Sequence, residues 1–120
     1  MNETILVVDN EEDICTLIKE VLDLDGYNVL TAFSGSECIE SAGKNKIDLI
    51  ILDVMMPDMD GWETLDKMIE LDVIGDAKIL VCTVAKDYKK QMEKYGEHVQ
   101  GQLDKSNLIV EIRQKVGEIL

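Results

Sequence analysis

Short apolar runs alternate with longer amphipathic stretches along the chain. The runs have the length and branching of buried strands, and they are Thr4–Val8, Tyr27–Ala32, Leu49–Leu52, Lys78–Cys82 and about His98–Leu103. Each run is followed by a stretch whose apolar side chains recur at helical spacing. Strict alternation of strands and helices with short loops predicts a parallel sheet covered by helices on both faces. We therefore predict one α/β domain over residues 1–120.

The spacing also predicts which helix faces pack on the sheet. The predicted core positions are Ile14, Leu17, Ile18, Val21 and Leu22 in the first helix, Trp62, Leu65 and Ile69 in the third, and Leu108, Ile109, Ile112, Val116, Ile119 and Leu120 in the last. Asn10 and Asp13 are candidate caps for the first helix, which Gly26 is expected to end. Ser34 opens the second helix with a capping-box pattern, and Asp60 opens the third.

Composition bounds the class of protein and its compartment. The 120 residues are 46% hydrophobic and 31% charged, as in an ordinary soluble globular domain. The longest nearly apolar run, Ile79–Ala85, is far shorter than the roughly 20 residues that cross a bilayer. Three scattered cysteines without CxxC spacing are typical of reduced thiols, and because a strand-like run begins at once, no secretory leader is expected. We expect a cytoplasmic protein without membrane association.

Charge is distributed unevenly along the chain. The formal charge of −13 argues against general affinity for nucleic acid. Lysines nevertheless cluster at a polar helix predicted over about Asp87–Tyr95, namely Lys86, Lys89, Lys90 and Lys94. Charge alone leaves two interpretations open, a solvated helix face or a docking patch.

Four polar residues stand where predicted strands end: Asp9, Asp53, Thr83 and Lys105. Because the carboxyl ends of parallel strands share one edge of a sheet, we expect these side chains to meet there, open to solvent. Two neighbouring carboxylates repel each other unless a cation lies between them, and their oxygens suit Mg²⁺. An ammonium and a hydroxyl beside them could bind the oxygens of a phosphoryl group held on a carboxylate. The pattern therefore predicts a phosphoryl-accepting site.

Several segments resemble the motifs of two-component response-regulator receiver domains. They are VVDNEED at Val7–Asp13, LDVMMPDMDG at Leu52–Gly61, the strand end at Thr83 and GQLDK at Gly101–Lys105. The resemblance covers the whole chain in the family's order. It implies a flavodoxin-like doubly wound fold, with a five-stranded parallel sheet in the order 2-1-3-4-5 and five helices.

The resemblance also implies a role for each site residue. Asp53 would accept a phosphoryl group from a sensor histidine kinase or a phosphotransfer protein, with Mg²⁺ as cofactor. The metal would be held by Asp9, Asn10, Asp53 and the backbone carbonyl of Met55. Thr83 would move inward and bond a phosphoryl oxygen, and Lys105 would pair with Asp53 or with its phosphoryl group. At most slow self-hydrolysis would follow, so the chain is not expected to be an enzyme in the ordinary sense.

The implied output face combines the fourth helix, the fifth strand and the fifth helix. This face would repack on phosphorylation and exchange partners. The residues assigned to it are Val84, Lys86, Lys90 and Gln102. Because the lysines gather there, the resemblance favours the docking patch over the solvated face. The sequence does not name the downstream partner.

The chain departs from the family pattern at four positions. Asn10 replaces an acid, so we expect weaker Mg²⁺ affinity, while capping of the first helix stays an open alternative for it. Val84 replaces a small residue, which is expected to slow phosphoryl transfer and hydrolysis, and Gln102 replaces the aromatic switch residue. Ser106 replaces a proline that follows a cis bond. We therefore predict a trans Lys105–Ser106 peptide, a shifted loop and Ser106 as the cap of the last helix.

Two other function classes follow from these departures and from the fold. A degenerate receiver that binds its partner independently of phosphorylation would explain all four departures. A flavodoxin-like electron carrier would need a phosphate cradle rich in Ser, Thr or Gly after the first strand. This chain has Asp9-Asn10-Glu11-Glu12 there, and these acids repel phosphate. We therefore set the electron carrier aside.

Overall fold

Five parallel strands form one sheet in the computed structural model, which describes residues 2–83 and 93–120. The strands are β1 Thr4–Val8, β2 Asn28–Ala32, β3 Leu49–Asp53, β4 Lys78–Thr83 and β5 Val99–Asp104. Their order is β2-β1-β3-β4-β5, and every neighbouring pair is parallel. The doubly wound, flavodoxin-like order implied by the resemblance is confirmed, with β3 at the centre of the sheet.

Helices connect the strands and cover both faces of the sheet. They are α1 Glu12–Leu24, α2 Gly35–Lys44, α3 Gly61–Glu70 and a C-terminal helix, Leu108–Ile119, which follows a 3-10 turn at Lys105–Asn107. Most of the helix predicted over about 87–95 lies outside the described residues. The described part of it, residues 93–95, is helical. Val84, Lys86, Lys89 and Lys90 also lie outside the described residues. None of the described helices is both long enough and apolar enough to cross a membrane.

Alternate side chains of β3 enter two apolar cores, one on each face of the sheet. On one face Ile50 and Leu52 lie in a core with residues of α2 and α3. On the other face Leu49 and Ile51 lie in a core with residues of α1 and the C-terminal helix. All five residues of β3 are buried, as its continuous apolar run predicts for a central parallel strand. Asp53 is the last residue of β3, so its carboxylate lies at the end of the strand, between the two cores.

Some of the residues predicted to face the core are exposed instead. The predicted core positions that are exposed are Leu17, Ile69, Ile109 and Leu120. The buried line of α1 is Cys15, Ile18 and Leu22, which recur at i, i+3 and i+7. Leu17 lies about 100° around the helix from Ile18 and falls outside this narrow line. In α3, Met68 is buried where Ile69 was expected.

Ser34 and Asp60 cap α2 and α3 as predicted. The hydroxyl of Ser34 accepts a hydrogen bond from the N–H of Glu37 at 3.1 Å, and the carboxylate of Asp60 accepts one from the N–H of Glu63 at 2.8 Å. Each bond satisfies one of the N–H groups that a helix start leaves without an intrahelical partner. Gly26 follows the end of α1 with a φ of +92°, a conformation that glycine adopts without strain.

The predicted caps of α1 were wrong. This helix begins at Glu12 with Glu11 as its N-cap residue, and no side chain makes a capping hydrogen bond there. Asn10 is exposed and precedes the N-cap, and Asp13 lies within the first turn. The carboxylate of Asp9 accepts the N–H of Glu11 at 2.9 Å instead. This bond ties the start of α1 to the end of β1.

Candidate functional site

Acidic, hydroxyl and basic residues come together at the carboxyl edge of the sheet. Asp9 follows β1, Asp53 ends β3, Thr83 ends β4 and Lys105 follows β5. These strands are neighbours in the sheet, in the order β1, β3, β4 and β5. Asp9, Asp53 and Thr83 are all buried. The structure thus gathers the four predicted strand-end residues at one edge, while the roles assigned to them stay predictions.

One lysine ammonium contacts both aspartates. The Nζ atom of Lys105 lies 3.1 Å from Oδ2 of Asp53 and 3.2 Å from Oδ2 of Asp9. The same atom lies 3.4 Å from Oε1 of Glu11. The Lys105 side chain is 15% exposed and that of Asp53 is 1% exposed, so solvent ions screen this pair only weakly. The ammonium therefore occupies the place where two adjacent carboxylates require positive charge.

The other carboxylate oxygens accept backbone hydrogen bonds. Oδ1 of Asp9 accepts the N–H of Glu11 at 2.9 Å, and Oδ1 of Asp53 accepts the N–H of Met55 at 3.2 Å. All four oxygens of the two aspartates thus have a partner in the structure. A ligand that binds either aspartate must share or replace one of these contacts.

Burial shapes the protonation equilibria of the site. Burial and the neighbouring charge of Asp9 raise the pKa of Asp53 to about 6, although Lys105 and the N–H of Met55 act in the opposite direction. Burial by itself disfavours the charged form of Lys105, but the hydrogen bonds and charges of Asp53 and Asp9 outweigh it and hold the pKa of Lys105 above its ordinary value. Lys105 is therefore a cation at neutral pH.

A tight approach of α3 to β3 fixes the position of Asp53. The N–H of Gly61 donates to the carbonyl of Val54 at 2.9 Å. A Cβ atom on Gly61 would lie 2.5 Å from the backbone oxygen of Asp53 and 2.8 Å from the Cα atom of Val54. Two backbones can come this close only where no side chain separates them, so the turn after β3 requires glycine at this position.

The donor set around the aspartates suits a hard divalent cation. The candidate donors are all oxygens: the carboxylates of Asp9 and Asp53, the amide of Asn10 and the backbone carbonyl of Met55. Such a set fits Mg²⁺ better than a softer metal. Within residues 2–83 and 93–120, no group of three or more His, Cys, Asp and Glu side chains is arranged to hold a metal. A cation here would therefore depend on two carboxylates together with neutral oxygens.

A sequence profile of the response regulator receiver domain matches residues 5–117. The match extends from β1 into the C-terminal helix and includes every strand end of the site. The chain belongs to the receiver domain family. Receiver domains of response regulators interact with histidine kinases or phosphotransfer proteins.

Curated proteins of this family match the receiver domain over part of their length. The chain is 48% identical over 68 residues to the alkaline phosphatase synthesis transcriptional regulatory protein PhoP of Bacillus subtilis, covering 57% of this chain and 28% of that protein. It is 39% identical over 72 residues to the sporulation initiation phosphotransferase F of the same organism, covering 60% of this chain and 58% of that protein. The chain thus spans less than two thirds of either relative.

Solved receiver structures match nearly the whole chain. The response regulator TrrA of Thermotoga maritima, in complex with Mg(2+)-BeF, is 32% identical with a TM-score of 0.82, covering 98% of this chain and 99% of that one. The chemotaxis protein CheY4 of Vibrio cholerae is 28% identical with a TM-score of 0.88, covering 100% of both chains. These matches agree with the observed strand order of the receiver domain.

The other residues predicted for the site and the switch are exposed, half-buried or outside the described part of the chain. Asn10 is exposed beside Asp9, and Gln102 is half-buried on β5. The side chain of Met55 is exposed, so only its backbone faces the site. The switch positions that lie outside the described residues are Val84, Lys86 and Lys90. The roles assigned to all of these residues stay predictions.

The loop after β5 agrees with one prediction and corrects another. The Lys105–Ser106 peptide is trans, as predicted. Ser106 does not cap the C-terminal helix, because its N–H and its hydroxyl both donate to Oδ1 of Asp104, at 2.9 and 2.7 Å. Asn107 is the N-cap residue and makes no side-chain cap hydrogen bond. This turn brings Lys105 back over the aspartates.

The expectation of a solvent-open acceptor was wrong for the state described. Asp53 leaves a strand that is buried on both faces, and the ammonium of Lys105 lies across its carboxylate. Lys105, at 15% exposure of its side chain, is the more exposed member of this pair. The same ammonium thus neutralises Asp53 and lies against its carboxylate.

Two residues of the site were not predicted from the sequence. Glu11 contacts Lys105, and the thiol of Cys15 donates to the carbonyl of Asp9 at 3.3 Å. From the sequence, the acids after Asp9 indicated only a segment that repels phosphate. The signal that could have found Glu11 is its spacing, because an aspartate commonly accepts the N–H two residues on and so brings that residue beside its carboxylate.

Proposed function

We propose that Asp53 accepts a phosphoryl group from a phosphohistidine on a sensor kinase or a phosphotransfer protein. The observation that carries this proposal is the contact of one ammonium, that of Lys105, with the buried carboxylates of both Asp53 and Asp9. Buried like charges held around a cation are costly as a purely structural device and are common at functional sites. The family of the chain and its fold support the same function.

The proposed step is a displacement at phosphorus. An oxygen of the Asp53 carboxylate attacks, a P–O bond forms, and the P–N bond to the donor histidine breaks. The imidazole leaves with the bonding electrons and takes up a proton, and the product is an acyl phosphate. Water later attacks the same phosphorus and returns the carboxylate with inorganic phosphate. Only this slow self-hydrolysis is proposed as catalysis by the chain itself.

The proposal includes Mg²⁺ as cofactor, which a solved relative also binds. Asp9, Asp53, the backbone carbonyl of Met55 and the amide of Asn10 would hold the ion. When bound, it supplies positive charge that neutralises the oxygens of the transferring group. Because Asn10 brings no charge, we expect this chain to bind the ion more weakly than a relative with an acid at that position.

The closed acceptor adds a requirement to the mechanism. Lys105 must give up at least part of its contact with Asp53 as phosphorus approaches, and its ammonium can then bind a phosphoryl oxygen. Thr83 ends the adjacent strand and is buried beside the site, where its hydroxyl would bind a second oxygen. In this proposal the signal is passed on when these two residues change partners.

A second candidate is a receiver that binds its partner without phosphorylation. The closed Asp53 carboxylate favours it, since all of its oxygens are already satisfied without a ligand. The neutral Asn10 favours it as well. In that case the buried cluster serves only to hold the ends of β1, β3 and β5 together.

Exposure to acetyl phosphate and Mg²⁺, followed by intact mass measurement, separates the two candidates. The proposal expects a phosphate adduct on the wild-type chain and none on Asp53→Asn. Asp58→Asn is the matched control, because Asp58 is an exposed acid in the loop after β3 with a positive φ that asparagine tolerates. An adduct that persists in Asp53→Asn, or no adduct on the wild type with either acetyl phosphate or a phosphorylated kinase domain, would reject the proposal.

We also infer that the chain acts in the cytoplasm on a protein partner. Its formal charge of −13 makes direct binding of nucleic acid unfavourable. In this inference any contact with DNA belongs to a partner or to a separate output domain. Salt-dependent retention on a DNA column at physiological ionic strength would contradict it.

A further inference from the structure

The ammonium of Lys105 has a third carboxylate partner in the described part of the chain. Oε1 of Glu11 lies 3.4 Å from Nζ, against 3.1 Å for Oδ2 of Asp53 and 3.2 Å for Oδ2 of Asp9. The Glu11 side chain is 59% exposed, whereas the two aspartates are buried. Glu11 thus stands at the solvent-exposed end of a cluster whose other two anions are enclosed.

The Lys105 ammonium and a divalent cation would compete for the two buried aspartates. Lys105 contacts one oxygen of each, and backbone N–H groups contact the other oxygens. A divalent cation can bind Asp9 and Asp53 only when the ammonium gives up at least part of this contact. A displaced ammonium that stays partly buried needs another anion, because an unpaired charge in such a place is costly. Glu11 is already within reach.

We propose that Glu11 is a positioning residue that holds the Lys105 ammonium while Asp9 and Asp53 bind a divalent cation, and so raises the affinity of the site for that cation. The inference rests on the proposed function for the identity of the cation, Mg²⁺. It adds to that function the residue that draws the Lys105 ammonium away from the two aspartates. Glu11 acts through Lys105 here and is not itself a metal ligand.

Calorimetric titration of the full chain with MgCl₂ tests this role without using phosphorylation. Glu11→Gln removes the alternative anion, and we expect it to weaken Mg²⁺ binding by about two- to fivefold, the range of a partly exposed ion pair. Glu12→Gln is the matched control, since Glu12 is the next residue, is exposed and loses the same charge. An equal loss in Glu12→Gln would mean that only the general field of α1 matters, and it would overturn the proposal.

A double-mutant cycle tests whether Glu11 acts through Lys105. Lys105→Met removes the competing cation and is expected to tighten Mg²⁺ binding, on the order of tenfold. In that background Glu11→Gln should change the affinity by less than about 1.5-fold, because the two substitutions remove one shared interaction. A full Glu11→Gln effect in the Lys105→Met background would show that Glu11 meets the metal directly, contrary to the proposal.

A further variant keeps the test valid if Lys105→Met does not fold. Glu11→Asp retains the charge but withdraws the carboxylate from Lys105, so it should bind Mg²⁺ as weakly as Glu11→Gln. Wild-type affinity in Glu11→Asp would overturn the positioning role. If the wild type forms no phosphate adduct but Glu11→Gln still weakens Mg²⁺ binding, only the proposed function is rejected. If the adduct forms but Glu11→Gln leaves Mg²⁺ binding unchanged, only this inference is rejected.

Discussion

Gly61→Ala tests how the end of β3 is fixed beside its carboxylate. The added Cβ atom would meet the backbone oxygen of Asp53 at 2.5 Å and the Cα atom of Val54 at 2.8 Å. Both contacts are with backbone, which cannot rotate away as a side chain can. The first turn of α3 or the peptide after Asp53 must therefore move.

The sign of the effect depends on the balance of three contributions. Alanine in place of glycine favours a helix by up to about 1 kcal/mol. Overpacking of a close contact typically costs about 1–3 kcal/mol, and loss of the hydrogen bond from the N–H of Gly61 to the carbonyl of Val54 costs about 1 kcal/mol more. We expect a net destabilisation of about 1–3 kcal/mol, equivalent to a fall in Tm of roughly 5–15 °C for a domain of this size.

Urea denaturation followed by circular dichroism measures this loss. Gly117→Ala is the matched control, because nothing lies within 4 Å of a Cβ atom at this helical and exposed glycine. That control should gain about 1 kcal/mol in free energy of unfolding. If Gly61→Ala proves as stable as the wild type, the close backbone approach does not determine the turn, and the explanation of how Asp53 is positioned fails.

Two further predictions concern other parts of the fold. Burial raises the pKa of Cys15 to about 11 and those of Cys38 and Cys82 to about 12. At pH 8 iodoacetamide should therefore modify the folded chain far more slowly than the urea-unfolded chain, as intact mass would show. Equal rates would contradict the burial of the three thiols. The phenol of Tyr95 donates to Asp66 at 2.7 Å, so Tyr95→Phe should lose about 1 kcal/mol in urea denaturation, and an unchanged midpoint would show that this bond contributes nothing.

The strand ends could be predicted because two independent features of the sequence agree on them. The apolar run of β3 fixes where the strand lies, and the carboxylate of Asp53 breaks that run at a definite residue. The same holds for Asp9 after β1. The order of the strands is different, since an apolar run carries no information about its neighbours in the sheet. That part of the prediction came only with the likeness to receiver domains.

Helix faces were predicted less well because hydrophobicity alone does not define a packed line. Leu17 and Ile109 are as apolar as the residues that are buried, yet each lies on the edge of its helix away from the sheet. Cys15 was not among the predicted core positions although it is almost fully buried, as is common for a free cysteine, which packs as a small hydrophobic residue. The width of the buried face depends on how closely the helix approaches the sheet, which a single sequence does not reveal.

A bulge in β5 sets the register of the strand that leads to Lys105. Val99 pairs with Ile79 but Gly101 pairs with Leu80, so one extra residue enters β5 at this point. Strict alternation would place Val99 and Leu103 on the same face of the sheet, yet they lie in the cores of opposite faces. The bulge thus resets which side chains point inward along the strand that leads to Lys105. Gly101 lies at this shift, and an isolated glycine within a strand is typical of a bulge, so the sequence held a sign of the extra residue that alternation alone does not give.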